Sequence, residues 1–228
     1  MAGKLYGVGV GPGDKELVTL KALRVLKECG VVAVPKMKSG ETTAYNIVAD
    51  YIPEKPVMEC FMPMSKDFDE LQKNYEAIAD MVEQHLKQGK DVAFVTLGDP
   101  TVYSTYMQIN AIILARGYET ELIPGITSFC AAAARLNMPL CERDEPLIVL
   151  PASYKEVREG IKLRGNKVLM KAARSVMEVR DMLAEEGLLE KSSMVECCGM
   201  PNEKIYRNMA DMQESSTYFS LIIVKDRD

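Results

Sequence analysis

Residues 5–14 have the sequence LYGVGVGPGD, in which an apolar run passes directly into a turn rich in glycine and proline. The apolar part predicts a buried strand over residues 5–10, which Gly11-Pro12-Gly13 ends. Asp14 is a good N-cap for a following helix, with Gly30 at its C-terminal stop. The apolar face of that helix consists of Leu17, Leu20, Leu23 and Leu26. A buried strand followed by a tight turn and an amphipathic helix is typical of an α/β protein.

The same alternation continues along the chain. We predict further helices over residues 42–51, 67–87, 102–116, 128–136, 154–163 and 176–186, and further strands over 31–34, 91–97, 118–123, 147–150, 168–171, 193–197 and 218–224. Pro124-Gly125 is the best candidate for a hinge between two domains. We expect an N-terminal α/β domain over residues 1–123 with a mostly parallel sheet. The C-terminal α/β domain, over 124–228, is expected to have a mixed sheet, because short connections late in the chain favour antiparallel pairing.

The composition is that of an ordinary globular protein and argues against several functional classes. The chain has 228 residues, of which 47% are hydrophobic and 27% charged, and it contains no apolar run long enough to span a bilayer. The first residues lack the apolar core of a signal peptide, which predicts a cytoplasmic protein. The net charge of −5 comes without a basic stripe, which argues against nucleic-acid binding.

Cysteine and histidine are too few and too scattered to predict a metal site. None of the six cysteines forms a C-x-x-C pair, and adjacent Cys197-Cys198 has no matching partner. We expect free buried thiols. His85 is the only histidine and flanks the apolar face of the helix over 67–87, so histidine-based catalysis and two-histidine zinc sites are disfavoured. No protein-bound metal is predicted.

Three turns stand out because each follows a predicted strand. They are residues 9–14 (GVGPGD), 97–100 (LGDP) and 124–128 (PGITS). Ligands of open parallel sheets collect at the carboxyl ends of the strands, and glycine lets the backbone approach a ligand closely. The first turn has Pro12 or Asp14 where the G-x-G-x-x-G fingerprint needs its third glycine, and no P-loop motif occurs. A dinucleotide or P-loop site is therefore disfavoured.

Together and in this order, the turns resemble the tetrapyrrole (corrin/porphyrin) methylase family over essentially the whole chain. The resemblance begins with residues 5–14 and ELVTLKA at 16–22. Within the family, LGDPTVYSTY at 97–106 and PGITSF at 124–129 look most like the precorrin-2 / cobalt-factor II C20-methyltransferases, and VPKMKSG at 34–40 agrees. The resemblance implies two α/β domains with S-adenosylmethionine (SAM) in the cleft between them, usually in a homodimer.

The resemblance also implies an activity and a set of site residues. The activity is methylation of carbon 20 (C20) of precorrin-2 or cobalt-factor II in cobalamin biosynthesis, with SAM as co-substrate. The positions that match SAM-binding positions of the family are Pro12, Leu97, Gly98, Asp99, Val102, Thr127, Ser128, Met170, Lys171, Ala172 and Gly199. Candidates for holding the carboxylates of the substrate are Lys36, Lys38, Arg135, Lys171 and Arg174.

Methyl transfer from a sulfonium is an in-line displacement with a neutral leaving group, so no acid is needed to expel it. Such a reaction is accelerated chiefly by holding the methyl group and the acceptor carbon close and collinear. We hypothesise that Asp99 or Tyr103 lies nearest the chemistry.

Simpler interpretations exist for each of these residues. Asp99 is also a plausible cap for the helix predicted from residue 102, and Tyr103 and Tyr106 are also plausible core aromatics on that helix. The functional alternatives are a related methylase acting at another carbon, a diphthine-type protein methylase of the same fold, and a non-catalytic SAM-binding or nucleotide-sensing module.

Overall fold

The computed structural model describes residues 2–37, 40, 42–63, 65, 67–153, 156–172, 175–213, 216–217 and 219–226. The chain divides into two compact units, Met1–Thr127 (unit 1) and Ser128–Asp228 (unit 2). The division falls shortly after the Pro124-Gly125 turn.

Unit 1 is built on a parallel sheet of five strands. The strands are β1 (Leu5–Gly9), β2 (Val31–Lys36), β3 (Val57–Phe61), β4 (Val92–Thr96) and β5 (Thr120–Ile123), in the spatial order β3-β2-β4-β1-β5. The helices are α1 (Leu20–Glu28), α2 (Thr43–Val48), α3 (Phe68–Lys87) and α4 (Tyr106–Ala115). Every strand pair in this sheet is parallel, which confirms the predicted architecture of the first half.

The central strands are buried on both faces, as expected for a parallel sheet covered by helices. Along β4, Ala93 and Val95 contribute to a core cluster with α1 and α2, while Val92 and Phe94 contribute to a second cluster with α3 and α4. The period of two along the strand therefore divides the apolar residues between two helical layers.

The element that follows the first turn differs from the prediction. Asp14 caps a short 3₁₀ turn, Lys15–Leu17, and Thr19 is the N-cap of α1, whose Ala22 N–H donates to the threonine hydroxyl at 3.2 Å. The predicted continuous helix is thus two elements. Leu20 is 86% exposed and does not contribute to the apolar face. The leucine spacing alone does not reveal that the residues between the 3₁₀ turn and α1 are extended.

Three further differences concern strand and helix limits in unit 1. Strand β3 was not predicted, although its alternating burial marks a half-buried edge strand. Strand β2 continues through Pro35 to Lys36 because β4 pairs with it only as far as Ala33, so proline interrupts no ladder on that side. Helix α4 begins at Tyr106 and not at residue 102. The other predicted helices and strands of unit 1 are confirmed, with small differences at their ends.

Unit 2 contains a mixed sheet, as predicted. Its strands are β6 (Leu147–Pro151), β7 (Asn166–Met170), β8 (Ser192–Glu196), β9 (Lys204–Tyr206) and β10 (Ser220–Val224), in the order β6-β7-β10-β8-β9. Its helices are α5 (Ser128–Leu136), α6 (Val157–Lys162) and α7 (Val176–Glu185). Strands β6 and β7 are parallel, and β10 pairs antiparallel with both β7 and β8. Strand β9 was not predicted, and Tyr154 and Tyr218, at the ends of predicted elements, lie outside the described residues.

The ring of Tyr106 packs directly on the backbone of Gly7 in β1. A Cβ atom added to Gly7 would lie 2.1 Å from the Cε1 atom of that ring. Tyr106 is 1% exposed, its hydroxyl donates to Asn110 Oδ1 at 3.1 Å, and its ring centroid lies 5.4 Å from that of Phe94. Tyr106 is therefore a core residue, which joins α4 to the middle of the sheet.

We expect Gly7→Ala to lower the free energy of unfolding by about 1–3 kcal/mol, because the ring of Tyr106 must move in a packed core. Urea denaturation monitored by circular dichroism measures this change. Gly30→Ala is the matched control, since the nearest atom to its added Cβ would be the Cβ of Lys90, at 3.1 Å. Equal losses in the two variants would contradict the proposed packing.

Candidate functional site

The three glycine-proline turns of unit 1 meet at the carboxyl edge of its sheet. Strands β4, β1 and β5 are neighbours, so the turns that follow them are adjacent. The first two turns form an antiparallel bridge, in which Gly98 N–H donates to Gly11 O at 2.8 Å and Gly11 N–H donates to Gly98 O at 3.3 Å. Gly11 and Gly98 both have positive φ angles, of 79° and 70°, which glycine adopts without strain.

The third turn packs so closely on the other two that only glycine fits. A Cβ added to Gly125 would lie 2.1 Å from Gly98 O, and one added to Gly9 would lie 2.6 Å from Gly125 N. The contacting atoms belong to the backbone and cannot rotate away. Side chains are thus excluded, and the backbones of the three turns are in direct contact.

The Asp99 carboxylate joins the second turn to the third. Its Oδ2 accepts from Gly125 N–H at 3.0 Å, and its Oδ1 accepts from the Thr101 N–H at 2.8 Å and the Thr101 hydroxyl at 2.5 Å. Asp99 is 8% exposed, so these bonds are shielded from water. Asp99 does not cap α4, which starts seven residues later at Tyr106. The helix-cap interpretation is therefore wrong.

Thr127 carries the polar atom in this region that most clearly lacks a partner. Its Oγ1 is buried and has no hydrogen-bond partner within the part of the chain that the structure describes. A buried hydroxyl without a partner costs free energy, so its presence suggests that a ligand supplies the missing bond. Pro12 and Gly98 in the same turns are buried, and Leu97 and Val102 are partly buried.

Tyr103 lies in the connection between β4 and α4 and not on a helix. Its φ angle is +50°, in the left-handed region, and it is 43% exposed. The Oγ atoms of Thr96 and Ser104 lie 2.8 Å apart, and Ser104 Oγ also accepts from Tyr106 N–H at 3.3 Å. Sequence reasoning missed Thr96. The available signal was a polar residue at the end of an otherwise apolar strand.

The site residues predicted in unit 2 lie at one edge of its sheet. Met170 ends β7 and is followed by Lys171 and Ala172, while Gly199 follows β8. Because β7 and β8 both pair antiparallel with β10, their carboxyl ends lie at the same edge. Lys171 has a φ angle of +59°, and burial lowers the pKa of its ammonium group.

Gly199 belongs to a hydrogen-bonded network with two charged residues. Its N–H donates to Glu203 Oε2 at 2.7 Å, and Arg135 Nε donates to Glu203 Oε1 at 2.9 Å. The guanidinium of Arg135 is thus engaged by a carboxylate of its own unit.

The remaining basic candidates are distributed as follows. Lys36 Nζ lies 2.7 Å from Glu59 Oε2, in an ion pair within unit 1. Lys38 and Arg174 lie outside the described residues. Of the three described cations in this group, Lys36, Arg135 and Lys171, only Lys171 combines partial burial with a position after a strand.

The cysteines correct one sequence expectation. No disulfide joins the six cysteines, all of which lie in described parts of the chain, and four are buried, but Cys130 and Cys141 are exposed. The expectation that all the thiols are buried is wrong for these two residues. His85 is partly buried on α3.

Neither a metal-binding cluster nor a membrane-spanning helix occurs among the described residues. No cluster of three or more His, Cys, Asp and Glu side chains arranged for a metal ion occurs there. No helix in that part of the chain has the length and hydropathy needed to cross a membrane.

Comparison with known proteins gives concordant results for sequence and structure. The family model of the Tetrapyrrole (Corrin/Porphyrin) Methylases matches residues 4–212. The chain is 38% identical to a probable cobalt-precorrin-2 C(20)-methyltransferase of Methanocaldococcus jannaschii, covering 97% of this chain and 96% of that protein. It is 32% identical to a precorrin-2 C(20)-methyltransferase of Sinorhizobium, covering 99% and 97%.

Solved structures share the fold at lower sequence identity. A cobalt precorrin-4 methyltransferase superposes with a TM-score of 0.76 at 23% identity, covering 97% of this chain and 94% of that one. A uroporphyrin-III C-methyltransferase of Thermus thermophilus, complexed with S-adenosyl homocysteine, has a TM-score of 0.72 at 22% identity and covers 98% of each chain. These likenesses confirm the predicted fold class.

We expect Asp99→Ala to destabilise unit 1 by about 1–3 kcal/mol, because it leaves the Gly125 and Thr101 donors without their acceptor. Urea denaturation measures the effect. Asp14→Ala is the matched control, because Asp14 lies in the first turn and its carboxylate accepts an exposed bond from Glu16 N–H at 2.9 Å. If Asp99→Ala lowers the free energy of unfolding no more than Asp14→Ala does, the Asp99 carboxylate does not hold the turns together.

Proposed function

The chain belongs to the tetrapyrrole (corrin/porphyrin) methylase family, and from this membership we infer that it methylates C20 of a precorrin-2-type macrocycle with SAM as methyl donor. The observation that carries the inference is identity of 32–38% over nearly the whole chain with C20-methyltransferases of precorrin-2 and cobalt-precorrin-2. The reaction belongs to cobalamin biosynthesis.

The residues of unit 1 suit a SAM site. The three turns present backbone groups that are fixed before the ligand arrives, so little conformational entropy is lost on binding. Thr127 Oγ1 is a buried polar atom that needs a partner. We assign donor binding to Pro12, Leu97, Gly98, Asp99, Val102 and Thr127, and also to Ser128, the first residue of unit 2. A neighbour of the same fold was solved with S-adenosyl homocysteine, which supports the use of SAM as methyl donor.

Residues of unit 2 are also assigned to donor binding. They are Met170, Lys171, Ala172 and Gly199, which lie at the carboxyl ends of β7 and β8. Lys171, immediately after β7, has a left-handed φ angle of 59°, and Gly199, which lies beyond the end of β8, has one of 74°. Such backbone conformations persist where the surrounding structure enforces them, and they concentrate at ligand sites.

The chemistry requires positioning more than acid or base catalysis. SAM supplies a methyl group on a sulfonium, which departs as a neutral thioether. The task of the protein is to hold the reacting atoms close and to exclude water. Both Asp99 oxygens already accept bonds from the turns, so we assign Asp99 to holding them. Tyr103, which is 43% exposed in the connection that follows β4, is the better candidate for the residue nearest the acceptor carbon.

Three further assignments follow from the family. We propose that the protein is cytoplasmic and that it acts as a homodimer. We also propose that Lys171 contacts a carboxylate of the macrocycle or of SAM, because a half-buried ammonium group is stabilised by an anionic ligand. The substrate is either metal-free precorrin-2 or cobalt-factor II, since metal in the macrocycle need not touch the protein.

The decisive experiment is anaerobic incubation of the purified protein with SAM and each form of the substrate. Mass spectrometry detects the added methyl group, and NMR of the product locates it. Methylation at C20 is the expected outcome. Methylation at another carbon indicates a related methylase, and SAM binding by calorimetry with no turnover on either substrate indicates a non-catalytic module.

We expect Thr127→Val to weaken SAM binding roughly two- to tenfold, because one hydrogen bond to the ligand is lost. Isothermal titration calorimetry measures the change. The same substitution is not expected to destabilise the protein without ligand, since Thr127 Oγ1 has no partner within the described residues. Thr101→Val is the contrast: its hydroxyl donates to Asp99, so that variant loses stability. Unchanged SAM affinity in Thr127→Val would contradict the assignment of this hydroxyl.

A further inference from the structure

Two hydroxyl groups, those of Thr96 and Ser104, lie next to each other at the connection between β4 and α4, which contains Tyr103. Thr96 is the last residue of β4 and is only 9% exposed. Its Oγ1 lies 2.8 Å from Ser104 Oγ. Ser104 Oγ also accepts from the N–H of Tyr106, the first residue of α4, at 3.3 Å. The Ser104 hydroxyl therefore connects the end of the strand to the start of the helix.

This connection fixes Tyr103 at an unfavourable backbone conformation. Tyr103 immediately precedes Ser104, and its φ of +50° is uncommon for a residue with a bulky side chain. Such conformations cost on the order of 1–3 kcal/mol and persist only where neighbouring contacts enforce them. Ser104, the next residue in the chain, makes two such contacts, one with Thr96 and one with Tyr106.

The hydroxyl pair is separate from the contacts that hold the three turns. The Asp99 carboxylate accepts from Thr101 and Gly125, and Gly11 bridges to Gly98. None of these bonds involves Thr96 or Ser104 side chains. A change at the hydroxyl pair is thus expected to leave the donor-binding turns in place and to alter the connection around Tyr103.

We propose that Thr96 and Ser104 are positioning residues for methyl transfer, which act by holding Tyr103 in its left-handed conformation at the carboxyl edge of the sheet. This inference rests on the proposed function. The pair influences the rate because methyl transfer depends on alignment, and a displacement of about 1 Å in a positioning group can cost on the order of 100-fold.

The first test compares variants that remove a hydroxyl with one that keeps it. We expect Thr96→Val and Ser104→Ala to slow single-turnover methylation by roughly tenfold or more. The dissociation constant of SAM, measured by calorimetry, is expected to change by less than about twofold, because the bonds of Asp99 remain. Thr96→Ser keeps the hydroxyl and is expected to retain the wild-type rate. Since Thr96→Val is close to isosteric, it provides the test if Ser104→Ala folds poorly.

The second test asks whether the pair acts through Tyr103. Tyr103→Ala is expected to slow methylation, and adding Ser104→Ala to it is expected to have no further effect.

Three outcomes overturn the proposal. Ser104→Ala and Thr96→Val both keep the wild-type rate, or Thr96→Ser is as slow as Thr96→Val, or Ser104→Ala slows the Tyr103→Ala variant further. The wild-type protein is assayed alongside. If it does not methylate either substrate, the proposed function fails, whereas an active wild type with equally active variants refutes only this inference.

Discussion

Direct contact between glycine backbones is the constraint on which the rest of unit 1 depends. Gly9, Gly98 and Gly125 approach so closely that a single methyl group at Gly9 or Gly125 would overlap backbone atoms of a neighbouring turn. The Asp99 carboxylate then completes the arrangement by accepting a bond from Gly125. Because backbone atoms have no rotamers, turns held this way form a preorganised edge. A ligand that binds there meets fixed N–H and C=O groups and loses little entropy in ordering them.

The chemistry assigned to the family explains why a preorganised edge of this kind is sufficient for methyl transfer. Displacement at a sulfonium methyl needs alignment and exclusion of water, and needs no imidazole or metal to expel the leaving group. The described residues at the edge are accordingly backbone groups, hydroxyls and one carboxylate that is already bonded to its own turns. Thr127 Oγ1 is a buried hydroxyl oxygen at this edge without a partner among the described residues, and a bound ligand would satisfy it.

Much of the fold could be predicted because local pattern and burial agree. The parallel sheet of unit 1, the mixed sheet of unit 2 and helices such as α3 and α5 followed from apolar spacing and turn residues. The predictions of secondary structure are wrong where the same local sequence pattern is compatible with two different structures. Asp14 is a good cap, but it caps a 3₁₀ turn. The residues after Pro100 have a helical pattern, yet α4 begins only at Tyr106. Before it, Asp99 accepts from the Thr101 N–H, and the Ser104 hydroxyl bonds to Thr96 in β4.

The sequence by itself determined that three rigid turns follow strands of an α/β sheet and that the chain resembles tetrapyrrole methylases. The turns and the sheet could be predicted because glycine, proline and apolar spacing act through local sterics and burial, which depend on neighbours along the chain. The resemblance rests on the residues and the order of the turns. Only the tertiary structure decided that Asp99 bonds across to Gly125, that Thr96 supports Ser104 behind Tyr103, and that Tyr106 fills the space over Gly7. Each of these contacts joins residues on different elements. Their partners are set by strand order and register, which no local pattern encodes.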